Sequence, residues 1–248
     1  MAVTSVSHSP APGGTSGIQR TPLRREVKIP VPAGRYHDVL AWVRLHPAHW
    51  RSPYPPRQIN NIYFDTPTYA GLKANLAGIG DRAKLRLRWY GESLAHVVGG
   101  QLELKQKRGR IGWKESVSVD LDVDLGRICW SDLSSTLAGS AGALGRRWCA
   151  EFPVPVLINA YRRDYYATPD GVVRLTVDRD LRAFGQRSTA VPNLRAPEVS
   201  EDLAIIELKA PEDAVALMRL DDALSNLPVT VGRYSKYVSG VLATPDFV

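Results

Sequence analysis

The sequence predicts an α+β fold, mainly antiparallel β, in which eight strands close into a tunnel with a charged interior and helices packed outside. Three observations predict it. Strand-like segments follow one another with mostly short connections, the pattern of an antiparallel sheet. Five of them alternate charged and apolar residues, so each carries its charge on one face. Helix-like segments are few and fall at the start, middle and end, where they can cover the apolar outside of a sheet closed on itself.

The elements follow in order. Residues 1–22 are rich in Ser, Pro, Gly and Thr with almost no apolar pattern, which predicts a disordered tail ahead of one domain spanning 23–248. Val27, Ile29 and Val31 alternate with Glu26, Lys28 and Pro30, a strand. Residues 34–46 place apolar side chains at helical spacing and stop before Pro47. Residues 58–65 read as a strand closed by Thr66-Pro67, followed by strands over 82–90, 100–107, 114–121, 155–167, 171–178 and 203–209. Helices are predicted over 131–150, 212–225 and 234–243. The polar, Pro-containing stretch 186–202 predicts a mobile loop. No internal repeat is visible.

Composition narrows the function. A chain of 248 residues, 44% hydrophobic and 23% charged, can bury a sizeable core. It has no apolar run long enough for a membrane-spanning helix and no basic-then-apolar leader of the secretory kind. Two cysteines, Cys129 and Cys149, exclude a disulfide scaffold or cysteine-rich zinc module. They predict packing residues in a reduced, cytoplasmic chain. A net charge of +7 and a pI near 9.5 point to an anionic partner.

The charged strand faces say which anion. Lys84, Arg86 and Arg88 share a face opposite Leu85, Leu87 and Trp89. Glu103, Lys105 and Lys107 oppose Leu102 and Leu104; Arg174, Thr176 and Asp178 oppose Val173, Leu175 and Val177. Glu26/Lys28 and Glu207/Lys209 repeat the pattern against Val27, Ile29, Ile206 and Leu208. A half-solvated sheet explains any one such strand. Together they concentrate Lys and Arg on facing strands, where like charges repel unless an anion neutralises them. Arg offers planar bidentate donors to phosphate oxygens and Lys a compact point charge. The interspersed carboxylates suit a hard divalent cation, Mg²⁺ or Mn²⁺, that bridges phosphate oxygens. No Gly-rich phosphate loop occurs. Trp89 lies opposite Arg88, so aromatic and cation share no stacking platform there and nucleic acid is not the expected partner. His46 and His49 flank Pro47 and predict a helix end rather than a metal pair. Asp120, Asp122 and Asp124 predict a strand end and a turn.

The segments Arg25-Glu26-Val27-Lys28, IYFDTP (62–67), KLRLRWYG (84–91), LELKQK (102–107) with Lys114, INAYRRDYY (158–166), VRLTVDRDL (173–181), IIELKAP (205–211) and RYSKYVSG (233–240) make the chain resemble the VTC (vacuolar transporter chaperone) domain. That domain belongs to the triphosphate tunnel metalloenzyme superfamily, which also holds the CYTH domains. The resemblance implies polyphosphate synthesis from ATP, with Mn²⁺ or Mg²⁺ as cofactor. It places Lys28, Arg86, Arg88, Lys105, Lys114, Arg162 and Arg174 on the reacting phosphates. Lys84, Lys107, Lys209, Arg233, Ser235 and Lys236 would bind substrate, and Glu207, with Glu26 and Glu103, would hold metal. The family's K-F-S-K segment reads Arg233-Tyr234-Ser235-Lys236 here. The family's flanking helical and transmembrane regions have no counterpart in the sequence, which leaves room for a membrane partner protein. The same residues also fit an inorganic or nucleoside triphosphatase, or a non-catalytic polyphosphate-binding module.

Overall fold

The structure, a computed structural model, describes residues 19–20, 24–109, 111–186, 189–195, 202–227, 229, 232 and 234–244. Its strands are β1 (Gln19–Arg20), β2 (Arg24–Pro32), β3 (Arg57–Asp65), β4 (Arg82–Tyr90), β5 (His96–Val98), β6 (Gln101–Arg108), β7 (Ile111–Ser118), β8 (Asp122–Asp124), β9 (Val154–Ala167), β10 (Arg174–Gly185) and β11 (Leu203–Pro211). Its helices are α1 (Tyr36–Leu45), α2 (Ala70–Leu76), α3 (Trp130–Ser140), α4 (Gly142–Glu151), α5 (Ala214–Ala223) and α6 (Lys236–Leu242).

One antiparallel sheet carries the order β1-β7-β6-β4-β3-β9-β10-β11-β2, and β5 pairs with β8 in a small second sheet. The large sheet is curled. Strands β6 and β2 stand six places apart, about 29 Å in a flat sheet, yet Lys105 on β6 meets Glu26 on β2 at 2.9 Å. The expected closure is nevertheless incomplete: among the described residues the edge strands share no backbone ladder. Gln19 and Arg20 occupy the outer edge of β7, opposite Ser116 and Glu115, so that edge is already taken and side chains bridge the seam. The sheet is a curled half-barrel rather than a closed one.

Apolar side chains leave the sheet outward and meet the helices, as the alternation requires. Ile62, Leu85, Leu87, Leu102, Leu104 and Val117 pack with Leu133, Leu137 and Trp148 of α3 and α4. Ile29, Val31, Leu175, Val177, Ile206 and Leu208 pack with Val39, Trp42, Val43, Ala216 and Leu220 of α1 and α5. Each fully buried Leu or Ile contributes about 1.5–3 kcal/mol, so both cores hold the wall against the repulsion of its charged inner face.

The helix expected over 131–150 is two helices, because Gly142 turns the chain at φ +65°, a conformation costly for other residues. Short elements escaped the pattern: α2, with seven residues, and the three-residue strands β5 and β8. Asp122 lies in β8 and Asp124 accepts from Gly126 N in the turn beyond. His46 follows α1 and is buried against the rings of Trp42 and Trp50. The expected tail lies outside the described residues except for β1, and the loop expected over 186–202 lies partly outside them. Within that loop, Gln186 is buried and tied to Asn193. Among the described residues, no helix is long and apolar enough to cross a membrane.

Candidate active site

The inner face has two walls. The first is β4, β6 and β7. Register places Arg82, Lys84, Arg86 and Arg88 opposite Lys107, Lys105, Glu103 and Gln101, and Lys105 opposite Lys114. Glu103 is buried among these cations: Arg86 Nε donates to its Oε2 at 2.6 Å and Lys114 Nζ to its Oε1 at 2.6 Å. Burial opposes the carboxylate form, but Arg86, Arg88 and Lys114 outweigh it and hold Glu103 well below the usual range. Arg88 Nε donates to Asn61 Oδ1 at 2.9 Å and its Nη2 to the Tyr161 hydroxyl at 3.2 Å. Both guanidiniums are thereby held in fixed orientation.

The second wall is β9, β10, β11 and β2. Lys28 Nζ lies 3.3 Å from Glu207 Oε1 and 3.7 Å from Glu26 Oε2. Lys209 Nζ meets Glu207 Oε2 at 2.7 Å. Arg163 grips Asp178 through Nε and Nη2 at 2.5 and 2.7 Å, and Lys236 Nζ reaches the same carboxylate at 2.5 Å. Burial opposes Glu207 ionisation, but Lys209, Lys28 and Arg163 outweigh it and pull its carboxyl well below normal. Burial and Glu207 oppose ionisation of Glu26, and Lys105, Lys28 and Lys209 bring it to about 2. Glu207 in turn raises Lys28.

Lys84 is different. Burial, followed by repulsion from Lys28, Arg82, Lys105 and Arg86, pushes it down to about 7. Its described contacts are the Ser235 hydroxyl at 3.1 Å and the Tyr237 ring at 5.2 Å. Burial and Lys28 likewise lower Lys105. Such a cluster has a site for negative charge built into it.

Helix α6 completes the site. Ser235 caps its N-terminus by accepting from Val238 N. Tyr237 donates to buried Asp65, which also accepts from Gly71 N and Leu72 N at 2.9 and 3.0 Å. This anchor sets Ser235 and Lys236 against the sheet.

The structure brings Lys28, Lys84, Arg86, Arg88, Lys105, Lys114, Lys209, Ser235, Lys236, Glu26, Glu103 and Glu207 to the inner face or its lip. Lys107 and Arg174 share that face by register, opposite Arg82 and Lys209; Arg174 is exposed at the rim. Arg233 lies outside the described residues. Arg162 does not join them. It is opposite Gln58 on the outer face and meets Glu92 at 3.5 Å. The adjacent Arg163, opposite Arg57, points inward instead. Side-chain alternation forbids both arginines from facing one way, and the buried Asp178 opposite Arg163 selects it. Asn61, Tyr63, Tyr161 and Asp178 are further inner residues that sequence reasoning left without a role. Asp178 was legible on the charged face with Arg174 and Thr176; the others are uncharged and carried no such signal.

For a divalent cation, the donor set fits. Glu26 and Glu207 are hard oxygen donors on paired strands and already converge on one cation, the Lys28 ammonium. One or two carboxylates plus substrate phosphates is the usual Mg²⁺ arrangement. No group of three or more potential metal-binding residues occurs among the described residues, so phosphate oxygens would complete the coordination.

A curled antiparallel sheet with a basic, carboxylate-studded interior and helices outside defines a triphosphate-tunnel fold. The chain belongs to the VTC domain family, whose sequence profile matches residues 23–244. No curated protein matches it in sequence. Among solved structures it is similar to a candidate adenylate cyclase of Bacillus halodurans, at 12% identity and TM-score 0.50 over 87% of this chain and 95% of that one. A candidate adenylyl cyclase of Hippeastrum with dominant triphosphatase activity gives 19% identity and TM-score 0.45, covering 87% and 93%. A third, from Vibrio parahaemolyticus, gives 13% and 0.46, covering 82% and 84%. The Bacillus likeness shows a shared fold.

Proposed function

We propose that this protein is a metal-dependent polyphosphate polymerase that transfers the γ-phosphate of ATP to a growing polyphosphate chain. The observation that carries the reading is the imbalance of the first wall, whose inner face carries Lys84, Arg86, Arg88, Lys105 and Lys114 with Glu103 as its one carboxylate among the described residues. A run of phosphates supplies the missing negative charge. Family membership supports the choice of a phosphate-chain product.

No protein nucleophile is required. A terminal oxygen of the bound polyphosphate forms the new bond to the γ-phosphorus, in line with the breaking bond to the β–γ bridging oxygen, and ADP leaves with that electron pair. Arg86 and Arg88, fixed by Glu103 and Asn61, present donors to the oxygens on which charge spreads. Lys28, Lys105 and Lys114 hold the acceptor chain against its own repulsion. Glu207 and Glu26 would hold Mn²⁺ or Mg²⁺, which offsets phosphate charge and orients the oxygens. Lys236, oriented by Asp178, and Ser235 hold the substrate from the α6 side.

The test is incubation of purified protein with ATP and Mn²⁺, following ADP, phosphate and long polyphosphate on a gel. ADP with a polyphosphate ladder is the expected result. ADP with free phosphate alone would convert the assignment to a triphosphatase. Tight polyphosphate binding without turnover would reduce it to a binding module.

A further inference from the structure

We infer that Asn159 is a positioning residue for phosphate binding, acting on Arg88 through the buried chain Arg88–Asn61–Asn159. This deepens the reading of the tunnel as a triphosphate site and rests on it.

Register sets the three side chains in one row across β4, β3 and β9: Asn61 lies opposite Arg88 on one side and opposite Asn159 on the other. All three are buried. Arg88 Nε donates to Asn61 Oδ1 at 2.9 Å, and Asn61 Nδ2 donates to Asn159 Oδ1 at 2.8 Å. A guanidinium only donates, so it turns the Asn61 oxygen toward itself and the Asn61 amide nitrogen away. That nitrogen needs an acceptor, and Asn159 supplies it. Without the Asn159 oxygen a buried donor is left unsatisfied, and the Asn61 amide is no longer held in the orientation that Arg88 requires. The row ends at Ala183, opposite Asn159. Ala183 has no polar side chain. With Asn159, Tyr161 and Lys236 it lines a crevice of about 20 Å³, room for one water to receive the Asn159 amide nitrogen.

The two arginines of this wall are held by different chemistry. Arg86 Nε donates to the Glu103 carboxylate at 2.6 Å. Arg88 Nη1 is 3.9 Å from the same carboxylate, too far for a hydrogen bond. Its donors go to neutral groups, the Asn61 amide and the Tyr161 hydroxyl. A carboxylate holds an arginine by offsetting its charge. An amide holds it and leaves the charge for a ligand, where charge-assisted hydrogen bonds are strongest. A purely structural role for the two asparagines, one hydrogen bond between β3 and β9, accounts for their contact with each other. It leaves unexplained why that pair meets a guanidinium, since two apolar residues of similar shape fill a buried row at little cost.

The experiment is isothermal titration of the full chain with inorganic tripolyphosphate and Mg²⁺, for the unmodified protein, Asn159→Leu, Arg88→Met and the double variant. Asn159→Leu should lose about tenfold in affinity, the low end of what one hydrogen bond to a charged group is worth. In the Arg88→Met background the same change should cost less than about twofold, because its effect runs through Arg88. A merely structural Asn159 would cost the same in both backgrounds, or would change only thermal stability. Asn61→Asp is a second measure, independent of whether Asn159→Leu folds. It keeps the side-chain volume and the acceptor for Arg88 but offsets the arginine's charge, so tripolyphosphate affinity should fall about tenfold while the thermal transition stays cooperative. Unchanged affinity in a folded Asn159→Leu, equal losses in the two backgrounds, or unchanged affinity in Asn61→Asp overturns the positioning role. Failure of the unmodified protein to bind tripolyphosphate overturns the triphosphate reading itself.

Discussion

The two walls of the tunnel use the same residue types to opposite effect. On β9, β10, β11 and β2, each buried cation has an acid: Arg163 has Asp178, while Lys28 and Lys209 have Glu207. On β4, β6 and β7, Glu103 is the one inward carboxylate among the described residues: it takes Arg86, Arg88 and Lys114, Lys105 reaches across the seam to Glu26, and Lys84 is pushed down to about 7 by burial and repulsion. A neutralised wall is a scaffold that can present carboxylates to a metal. An under-neutralised wall is strained in the absence of an anion and relaxes when one arrives. Under the proposed function, this difference gives the phosphate chain mainly to the first wall, with Lys28 reaching it from the second, and the metal to the second.

The largest effect should come from the second wall. Glu207→Gln should lower turnover of ATP with Mn²⁺ by about a hundredfold or more, since charge stabilisation by a bound metal contributes several kcal/mol and each 1.36 kcal/mol is tenfold. Triphosphate affinity, measured calorimetrically, should fall much less. Equal losses in both would place Glu207 in phosphate binding and erase the division of labour. Losing the buried carboxylate also leaves Lys28, Lys209 and Arg163 facing one another, so thermal stability should drop, by about 3–5 kcal/mol if the charge is wholly uncompensated. On the first wall, Arg86→Ala or Arg88→Ala should weaken triphosphate binding by roughly ten- to a hundredfold, the span of one or two hydrogen bonds to a charged group. An unaltered isotherm from both would break the first wall's assignment.

Lys84 gives a smaller, pH-dependent effect. In the empty tunnel it is protonated below about 7 and neutral above. A neighbouring phosphate favours the charged form, so binding takes up a proton as pH rises past that value. The affinity advantage of the natural protein over Lys84→Met should therefore be full near pH 6 and shrink by up to about tenfold per pH unit above 7. Taking the difference from the variant removes the ligand's own titration. Stability has the opposite sign. Between about 7 and the ordinary lysine value, the unfolded chain binds a proton that the folded chain does not, so Lys84 makes unfolding harder as pH rises. A flat difference in both measurements would mean that Lys84 is fully paired by something on the wall.

Much of this was legible in the sequence because strands report both faces at once. The alternation in KLRLRWY and QLELKQK fixes which residues face inward without knowing what they face. The long strands followed from the same period, and the helices from apolar side chains at helical spacing. What stayed hidden depends on partners distant in sequence. Tyr237 finds Asp65 172 positions away, and nothing local in either segment announces it. Gly142 divides a helix through a φ value that only the folded chain reveals. The open seam depends on β1, two residues in a stretch whose composition carries no strand signal.

The adjacent pair Arg162 and Arg163 supplies the smallest expected effect and the sharpest test of register. A motif match cannot separate them, because the segment YRRDYY offers two arginines and alternation admits one. The sheet decides: Arg163 lies across from Asp178 and is buried, while Arg162 lies across from Gln58 and meets Glu92 at the surface. An exposed pair of that kind is worth between nothing and about 1 kcal/mol. Arg162→Ala should therefore leave triphosphate affinity within about twofold and stability within about 0.5 kcal/mol. Arg163→Met leaves Asp178 with Lys236 as its remaining cation and should cost several kcal/mol in unfolding experiments. If Arg162→Ala instead abolished binding while Arg163→Met were tolerated, β9 would have to be shifted by one residue. A shift by one would move Tyr161 and Asn159 out of the tunnel along with Arg163, and the second wall would lose the residues that define it.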